Sequence, residues 1–226
     1  MISFKNVTKI YKPETYALKN VSFNIEAGEF VSIVGQSGTG KTTVIKMIIA
    51  EEKPTKGRVI IGDWDITNIK TREVPILRRQ IGVVFQDFKL LPNKTIFENV
   101  SFGMEVAGLN YKRIKEIVPQ VLKIVGLGNK QERFPHQISG GEQQRAVIAR
   151  SLVHRPKILV ADEPTGNLDS INSQEIINLL KKINEYGTTV VLVTHNREIV
   201  NSLRKRVITI DQGSVISDQK NGKYIL

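Results

Sequence analysis

Residues 35–42, Gly35-Gln36-Ser37-Gly38-Thr39-Gly40-Lys41-Thr42, decide the fold of this chain. They fit the pattern G-x-x-x-x-G-K-[ST], in which glycines let successive backbone N–H groups turn toward phosphate oxygens. The preceding residues 30–34 are apolar apart from one serine and predict a strand buried on both faces. The following residues 42–50 predict a helix whose N-terminus adds the positive end of its dipole. The sequence therefore predicts a site for a nucleoside triphosphate.

The residue types within this loop assign the expected contacts. Lys41 is expected to neutralise the β- and γ-phosphate oxygens as a point charge, and the Thr42 hydroxyl is a hard oxygen ligand for Mg²⁺. An ordinary glycine-rich turn is the alternative, but every fixed position of the pattern is filled. The predicted ATP-binding residues of the loop are Gly35, Gln36, Ser37, Gly38, Thr39, Gly40, Lys41, Thr42 and Thr43.

Two carboxylates end a second apolar run, ILVA at residues 158–161. At the carboxyl end of a strand beside the phosphate loop, Asp162 is expected to hold Mg²⁺ through its water shell. Glu163, one residue further on, is expected to polarise the attacking water. Two acids at the end of a buried strand are unfavourable unless an ion or substrate uses them. The alternative is a solvated turn before Pro164.

The apolar pattern along the rest of the chain predicts the fold class. Residues 2–7 and 21–25 alternate as half-buried strands do, and apolar runs at 81–85, 157–161, 188–194 and 206–210 alternate with helical stretches. We therefore expect an α/β P-loop NTPase core, a mostly parallel sheet flanked by helices, with an N-terminal antiparallel β part. Residues 88–154 have a helical period and predict an inserted helical lobe.

The domain prediction is a single domain over residues 1–226, with the ATP-binding core at 1–87 and 155–226. Residues 214–226 are expected to form a short β-ribbon. Pro119 lies inside the apolar stripe of the lobe and is expected to kink or divide its helix. That stripe comprises Ile114, Ile117, Val118, Val121, Leu122 and Val125.

Composition excludes several classes of protein. The 226 residues include 33 Lys and Arg against 22 Asp and Glu, so the net charge of +11 favours anionic partners. The absence of cysteine excludes disulfides, thiolate zinc sites and thiol nucleophiles. No apolar run approaches the ~20 residues of a membrane helix, and the first residues lack an apolar signal core. We therefore expect a soluble, cytosolic chain.

A second motif, ISGGEQQR at residues 138–145, predicts another phosphate-binding element. Ser139 followed by Glu142 is typical of a capping box, which on its own indicates only the start of a helix. Two adjacent glycines after the cap expose backbone N–H groups in a second geometry suited to phosphate. One chain then carries two half-sites.

These motifs, in this order and over nearly the whole chain, resemble the nucleotide-binding subunits of the ABC ATPase family. The resemblance implies that Tyr11 stacks on adenine, that Gln86 reaches Mg²⁺, and that His195 contacts the γ-phosphate. It also implies that Asp169, in the segment NLD, belongs to the D-loop. The implied signature residues, which bind the ATP of a partner subunit, are Ser139, Gly140, Gly141, Glu142 and Gln143.

The resemblance further implies a mechanism. Two copies pair head to tail when ATP is bound, each ATP lying between one phosphate loop and the other chain's signature. Glu163 is the base, His195 the γ-phosphate sensor and Lys41 a stabiliser of charge, while Ser139 contributes from the opposite subunit. The implied Mg²⁺ ligands are Thr42, Gln86 and Asp162.

The segment FQDFKLLPNKT at residues 85–95, followed by ENV at 98–100, resembles the branch of the family that acts in bacterial cell division. That branch implies an integral membrane partner, activation of peptidoglycan hydrolysis, and a peripheral position on the cytoplasmic face of the plasma membrane. Phe88, Leu90 and Leu91 are expected to be exposed and to contact the partner. They could also fill the core of the lobe, and both interpretations can hold together.

Three other functions compete with this interpretation. The first is the ATPase of an exporter or of a lipoprotein-release complex. The second is a nucleic-acid or ribosome-associated ABC ATPase, which a single phosphate loop, a single signature and the lack of heptads disfavour, so no specific nucleic acid is expected. The third is a nucleotide sensor without turnover, which the presence of both Glu163 and His195 disfavours.

Overall fold

The structure is a computed structural model and describes residues 1–224. The chain forms two compact units, Met1–Arg78 with Asn184–Leu226, and Arg79–Ile183. The first unit contains the phosphate loop, and the second contains the signature. The predicted division into a core and a lobe at residues 88 and 154 stays a prediction.

The secondary structure follows the predicted alternation of strands and helices. In the described residues the strands are β1 (Ile2–Tyr11), β2 (Thr15–Ile25), β3 (Phe30–Val34), β4 (Lys56–Ile61), β5 (Trp64–Asp65), β6 (Ile81–Val84), β7 (Ile158–Asp162), β8 (Thr189–Val193), β9 (Arg206–Asp211) and β10 (Ser214–Gln219). The helices are α1 (Lys41–Ile48), α2 (Val74–Arg78), α3 (Ile96–Val106), α4 (Tyr111–Ile124), α5 (Gly140–Leu152), α6 (Ser170–Glu185) and α7 (Arg197–Leu203), and a 3₁₀ turn spans Pro135–Gln137.

An antiparallel sheet in the first unit has the order β2-β1-β4-β5. Ile2 and Phe4 of β1 are buried, as a period of two predicts, and Val7 is buried as well because the strand register shifts between Phe4 and Val7. Phe4 stacks on Phe23 of β2 with 4.6 Å between ring centroids. The predicted N-terminal antiparallel part is confirmed.

A second group of strands in the same unit positions the phosphate loop. β3 pairs in parallel with β8 on one side and with β9 on the other, and β10 adds antiparallel to β9. All five residues of β3 are buried, which confirms a strand covered on both faces. β10 accounts for the predicted terminal ribbon as far as Gln219, and residues 225–226 lie outside the described residues.

In the second unit, β6 pairs in parallel with β7, and the helices α3, α4 and α5 pack on one another. Between residues 88 and 154 of the described chain there are helices and no strand, as the periodicity predicts. In residues 1–224 no helix combines the length and the apolar character that crossing a membrane requires.

Pro119 was expected to kink or divide its helix, and the structure shows that it does not divide it. α4 runs without interruption from Tyr111 to Ile124 with the proline inside it. Its buried residues Ile114, Val118 and Leu122 recur every four positions, on both sides of the proline. Tertiary packing of one continuous face therefore overrides the local preference against proline.

We expect Pro119→Ala to raise the free energy of unfolding by about 1–2 kcal/mol. A proline in a helix interior is about 3 kcal/mol less favourable than alanine, and the more flexible unfolded chain offsets about 1 kcal/mol of the gain. Urea unfolding followed by far-UV circular dichroism measures the change. Gln120→Ala, at the exposed neighbouring position, is the matched control. A destabilised Pro119→Ala chain would contradict the interpretation.

Candidate functional site

The phosphate loop joins β3 to α1, and two of its glycines have neighbours that exclude a side chain. A Cβ on Gly35 would lie 2.1 Å from the carbonyl oxygen of Ile210 in β9. A Cβ on Gly40, the residue before α1, would lie 2.3 Å from the carbonyl oxygen of Ala17 in β2. Gly40 also has a φ of +105°, a conformation that other residues rarely adopt. The loop backbone is therefore held between two strands.

The ammonium group of Lys41 lies inside the curve of this loop. Its Nζ donates hydrogen bonds to the carbonyl oxygens of Gly35 at 2.8 Å and Gln36 at 2.7 Å. The side chain of Thr39 also bonds to Gln36, its Oγ donating to the same carbonyl oxygen at 2.9 Å. The loop thus fixes one positive charge beside the backbone that is expected to surround the phosphates.

Other residues of the loop differ in how far they are exposed. Thr42, in the first turn of α1, is exposed, whereas Thr43 and Thr39 are buried. Gln36, Ser37 and Gly38 are exposed at the tip. Thr42 is therefore accessible to a metal ion, whereas Thr43 is not.

His195 lies at the same edge of the sheet as the start of the loop. In the parallel pairing of β3 with β8, Ile33 is opposite Val193, and the N–H of Thr194 donates to the carbonyl oxygen of Ile33 at 3.3 Å. His195 follows directly and is exposed. The strand register therefore brings the predicted γ-phosphate sensor to the edge from which the phosphate loop begins.

Tyr11, the predicted adenine contact, ends β1 and is half-buried. It pairs with Thr15, two residues before the Ala17 carbonyl that contacts Gly40. The Nζ of Lys9 lies 5.0 Å from the centre of the Tyr11 ring. The Tyr11 ring therefore belongs to the strand that pairs with β2, and β2 is the strand whose Ala17 carbonyl approaches the phosphate loop.

In the second unit, the pairing of β6 with β7 aligns Gln86 with the two carboxylates. Val84 is opposite Ala161, so Gln86 and Glu163 each come two residues after a matched pair. Asp162 is the last residue of β7, and both carboxylates are half-buried. Glu163 has a φ of +46°, a strained conformation for a residue other than glycine and one that clusters at functional sites.

The side chain of Gln86 lies against the turn that follows Glu163. A Cβ on Gly166 would lie 2.9 Å from the Nε2 of Gln86, and the Nδ2 of Asn167 donates to the Gln86 carbonyl oxygen at 3.3 Å. The structure therefore brings Gln86, Asp162 and Glu163 to one strand edge of this unit.

The signature begins α5 with the predicted capping box. The Ser139 Oγ accepts from the N–H of Glu142, and the Glu142 carboxylate accepts from the N–H of Ser139 at 3.0 Å. Lys130 also donates to Glu142 at 2.6 Å, and this bond is the main reason that the pKa of Glu142 is lowered. Ser139 is exposed and Gly141 is buried. The helix starts at Gly140, so Gln143 lies within its first turn.

Asp169 precedes α6 and accepts two hydrogen bonds from one residue. The N–H of Asn172 donates to Oδ1 at 2.8 Å, and the Asn172 Nδ2 donates to Oδ2 at 2.6 Å. These bonds lower the pKa of Asp169, the backbone bond most strongly. The carboxylate is exposed and stays ionised at neutral pH.

The expectation that Phe88, Leu90 and Leu91 are all exposed is wrong in part. Leu91 is 37% exposed, but Phe88 and Leu90 are half-buried. These two line a cavity of about 450 Å³ together with Pro135 and His136. They are partly covered because the 3₁₀ turn at residues 135–137 supplies one wall of that cavity.

Two residues that the sequence analysis missed hold this segment in place. Arg150 of α5 donates to the carbonyl oxygens of Lys89 at 2.8 Å and Phe88 at 3.2 Å. The fully buried Asn99 of α3 accepts from the N–H of Leu91 at 2.7 Å and donates to its carbonyl oxygen at 3.1 Å. The available signal for Asn99 was its position beside Val100 on the same helix face as Ile96, whereas Arg150 had none.

The residues predicted to hold Mg²⁺ offer a hydroxyl, an amide oxygen and a carboxylate, which are hard oxygen donors. Residues 1–224 contain no group of three or more His, Cys, Asp or Glu side chains that could hold a metal ion by themselves. Mg²⁺ is usually bound by one or two carboxylates together with substrate phosphates. The donor set therefore fits a Mg²⁺ that is bound with a nucleotide.

Comparison with known proteins gives a consistent result. Residues 18–166 match the family described as ABC transporter. The chain is 54% identical over 224 residues to the cell division ATP-binding protein FtsE of Bacillus subtilis, covering 99% of this chain and 98% of that one. It is 43% identical over 213 residues to FtsE of Escherichia coli, with 94% and 96% covered.

Solved structures are similar over the same length. A dimeric post-hydrolysis state of the ATP-binding cassette MJ0796, bound to ADP and Pi, matches with a TM-score of 0.87 at 39% identity and covers 99% of this chain and 100% of that one. CbiO1 from Clostridium perfringens, part of an ABC transporter complex, matches with a TM-score of 0.90 at 32% identity and covers 97% and 88%. These likenesses agree with the expected P-loop ABC fold.

We expect Glu142→Gln to destabilise the chain at neutral pH but not in acid. A carboxylate whose pKa is lowered on folding contributes stability above its unfolded pKa of about 4.3 and loses it as the pH falls through the folded pKa. The variant should therefore have a lower free energy of unfolding than wild type, by the full amount above about pH 5, and this difference should shrink as the pH falls below about 4. Urea unfolding from pH 3 to 7 measures it. Glu132→Gln, at an exposed position, controls for the loss of one charge; a difference that does not change with pH contradicts the assignment.

Proposed function

The chain belongs to the ABC transporter family of ATPases and is an ATP hydrolase, and we propose that it serves a membrane complex in bacterial cell division. The observation that carries this proposal is the near full-length similarity to proteins named cell division ATP-binding protein FtsE, including 51% identity in Streptococcus pneumoniae and 46% in Mycobacterium tuberculosis. The methionine importer ATPases named MetN are 42% identical, but this chain covers only 66% of their length. The higher identity to the FtsE proteins therefore favours the division branch over an importer.

ATP binding and dimerisation are linked in this proposal. The chain carries a phosphate loop in one unit and a signature in the other, and the related cassette MJ0796 is dimeric with ADP and Pi. We propose that two copies pair head to tail when ATP is bound, with each nucleotide between one chain's loop and the other chain's Ser139 to Gln143. Closure on ATP and opening after hydrolysis would move the attached membrane subunits.

The catalytic roles follow from the chemistry of each residue. Glu163 accepts a proton from the attacking water and directs that water at the γ-phosphate, while His195 contacts the γ-phosphate oxygens. Lys41 and the N–H groups of its loop stabilise the negative charge on those oxygens. Tyr11 stacks on the adenine ring. When bound, Mg²⁺ would neutralise charge between the β- and γ-phosphates, held by Thr42, Gln86 and Asp162.

We propose that the partner is an integral membrane subunit of the FtsX type, which passes the motion across the membrane to activate peptidoglycan hydrolases. This chain would then be peripheral, on the cytoplasmic face of the plasma membrane. Leu91, together with the cavity lined by Phe88 and Leu90, is the proposed contact, because an exposed apolar residue beside an apolar cavity suits a partner helix. The net charge of +11 is compatible with an anionic leaflet, and no specific nucleic acid is expected.

We expect Glu163→Gln to bind ATP with unchanged affinity and to release phosphate at least 100-fold more slowly than wild type. The amide keeps the size of the side chain but cannot accept the proton, and general base catalysis contributes about 10²–10⁴-fold. Phosphate release under single-turnover conditions measures the rate, and light scattering measures the dimer that should accumulate with Mg·ATP. Glu185→Gln, at an exposed position near the end of α6, is the control. Undiminished turnover in Glu163→Gln excludes its role as base.

We expect Glu163→Gln, purified with Mg·ATP from detergent-solubilised membranes of its own cells, to retain a membrane protein with a large extracytoplasmic loop. Adding Leu91→Ser should lower the recovered partner about tenfold, as removing an apolar anchor from an interface does. Ile171→Ser, which removes an isoleucine that is 74% exposed on α6, is the matched control and should leave recovery unchanged. Recovery of a solute permease or lipoprotein-release subunit instead would rule out the division role and keep the ATPase chemistry.

A further inference from the structure

The first turns of α5 and α6 lie in contact within the second unit. Gly141 is the second residue of α5, and Asn172 is the third residue of α6. A Cβ on Gly141 would lie 2.0 Å from the Oδ1 and 2.6 Å from the Cγ of Asn172. The side chain of Asn172 therefore fills the space that any larger residue at position 141 would need.

The same asparagine side chain also holds the D-loop. Its Nδ2 donates to Oδ2 of Asp169 at 2.6 Å, while its backbone N–H donates to Oδ1 at 2.8 Å. Asp169 accepts both bonds as a carboxylate, and hydrogen bonds to an ionised acceptor are shorter and stronger than neutral ones. One residue thus contacts the signature on one side and the D-loop on the other.

A second contact between the two helices, an ion pair, lies one turn further along each of them. Arg145, four residues after Gly141, donates to Glu175, three residues after Asn172, at 2.6 Å. Arg145 is mostly buried and Glu175 is half exposed, so this ion pair alone adds little stability. The ion pair instead limits movement, because two contacts on successive turns prevent either helix from sliding along the other.

We infer that Asn172 is a positioning residue that fixes Asp169 relative to Ser139, so that the D-loop and the signature move as one rigid element. This inference rests on the proposed function, in which Ser139 acts at the ATP bound by the partner subunit, while Asp169 follows the proposed base Glu163 by six residues in the same chain. Groups that take part in catalysis need to be held within a fraction of an ångström of their productive positions. Gly141 accordingly lacks a side chain to admit Asn172, in addition to presenting its backbone to phosphate.

The first test compares Asn172→Ala with Asn178→Ala. Asn178 lies on the same helix, is exposed, and bonds through its side chain to Gln174 of that helix. Asn172→Ala should lower kcat about 10- to 100-fold, the loss that a misplacement of about 1 Å produces. Affinity of the chain for a fluorescent ATP analogue should stay within about twofold, because the phosphate loop is untouched. Asn178→Ala should match wild type in both measurements.

The second test uses the steric fit between positions 141 and 172. Gly141→Ala should reduce kcat more than Asn172→Ala does, because its Cβ must displace the asparagine. In the double variant Gly141→Ala/Asn172→Ala, the nearest remaining atom of residue 172 is its Cβ, 3.1 Å away, which the helices can accommodate with a small shift. Turnover of the double variant should therefore equal that of Asn172→Ala within about threefold, which is strong non-additivity between neighbours.

Two results would overturn the inference. One is a kcat for Asn172→Ala equal to that of Asn178→Ala at equal urea midpoints. The other is a fold-loss of kcat in the double variant equal to the product of the two single fold-losses. That result would mean that Gly141 is needed only so that its backbone can approach the nucleotide. Failure of the proposed catalysis appears separately, in the wild-type chain and Glu163→Gln, whereas failure of the positioning role appears only in the Asn172 and Gly141 series.

Discussion

Backbone carbonyl groups of two strands approach the phosphate loop so closely that two of its residues can carry no side chain. The carbonyl oxygens of Ile210 and Ala17 occupy the positions where Gly35 and Gly40 would place a Cβ. This close packing fixes the curvature of the loop, and the Lys41 ammonium bonds to two of the loop's own carbonyl oxygens. Under the proposed function, phosphate oxygens would replace those carbonyl groups as charged acceptors for Lys41.

The register of the parallel strands then sets the positions of the other candidate site residues. Parallel pairing carries His195 to the edge from which the loop starts, and in the other unit it carries Gln86 beside Glu163. The carboxyl ends of parallel strands meet at a single edge, which is why α/β proteins bind ligands there. The left-handed backbone at Glu163 shows that a locally unfavourable conformation is retained at the candidate base.

The sequence predicted features that depend on a few adjacent residues, and it failed where distant residues decide. The buried strand β3, the glycine loop and the capping box at Ser139 each follow from a short run of residue types, and all are present. Pro119 stays helical because packing of residues before and after it outweighs its local preference. The partial burial of Phe88 depends on a turn almost fifty residues later, and the role of Asn172 depends on a glycine in another helix.

Arg150 and Asn99 hold the backbone of residues 88–91 from two different helices, and this has a consequence for how a partner binds. A loop that is already immobilised loses little conformational entropy on complex formation, so more of the contact free energy appears as affinity. Association can also proceed at the rate at which correctly oriented encounters occur, because no folding step follows the encounter. Under the proposed function, the surface at residues 88–91 would therefore behave as a rigid receptor, whose occupancy responds to the number of partner molecules in the membrane rather than to the folding state of this segment.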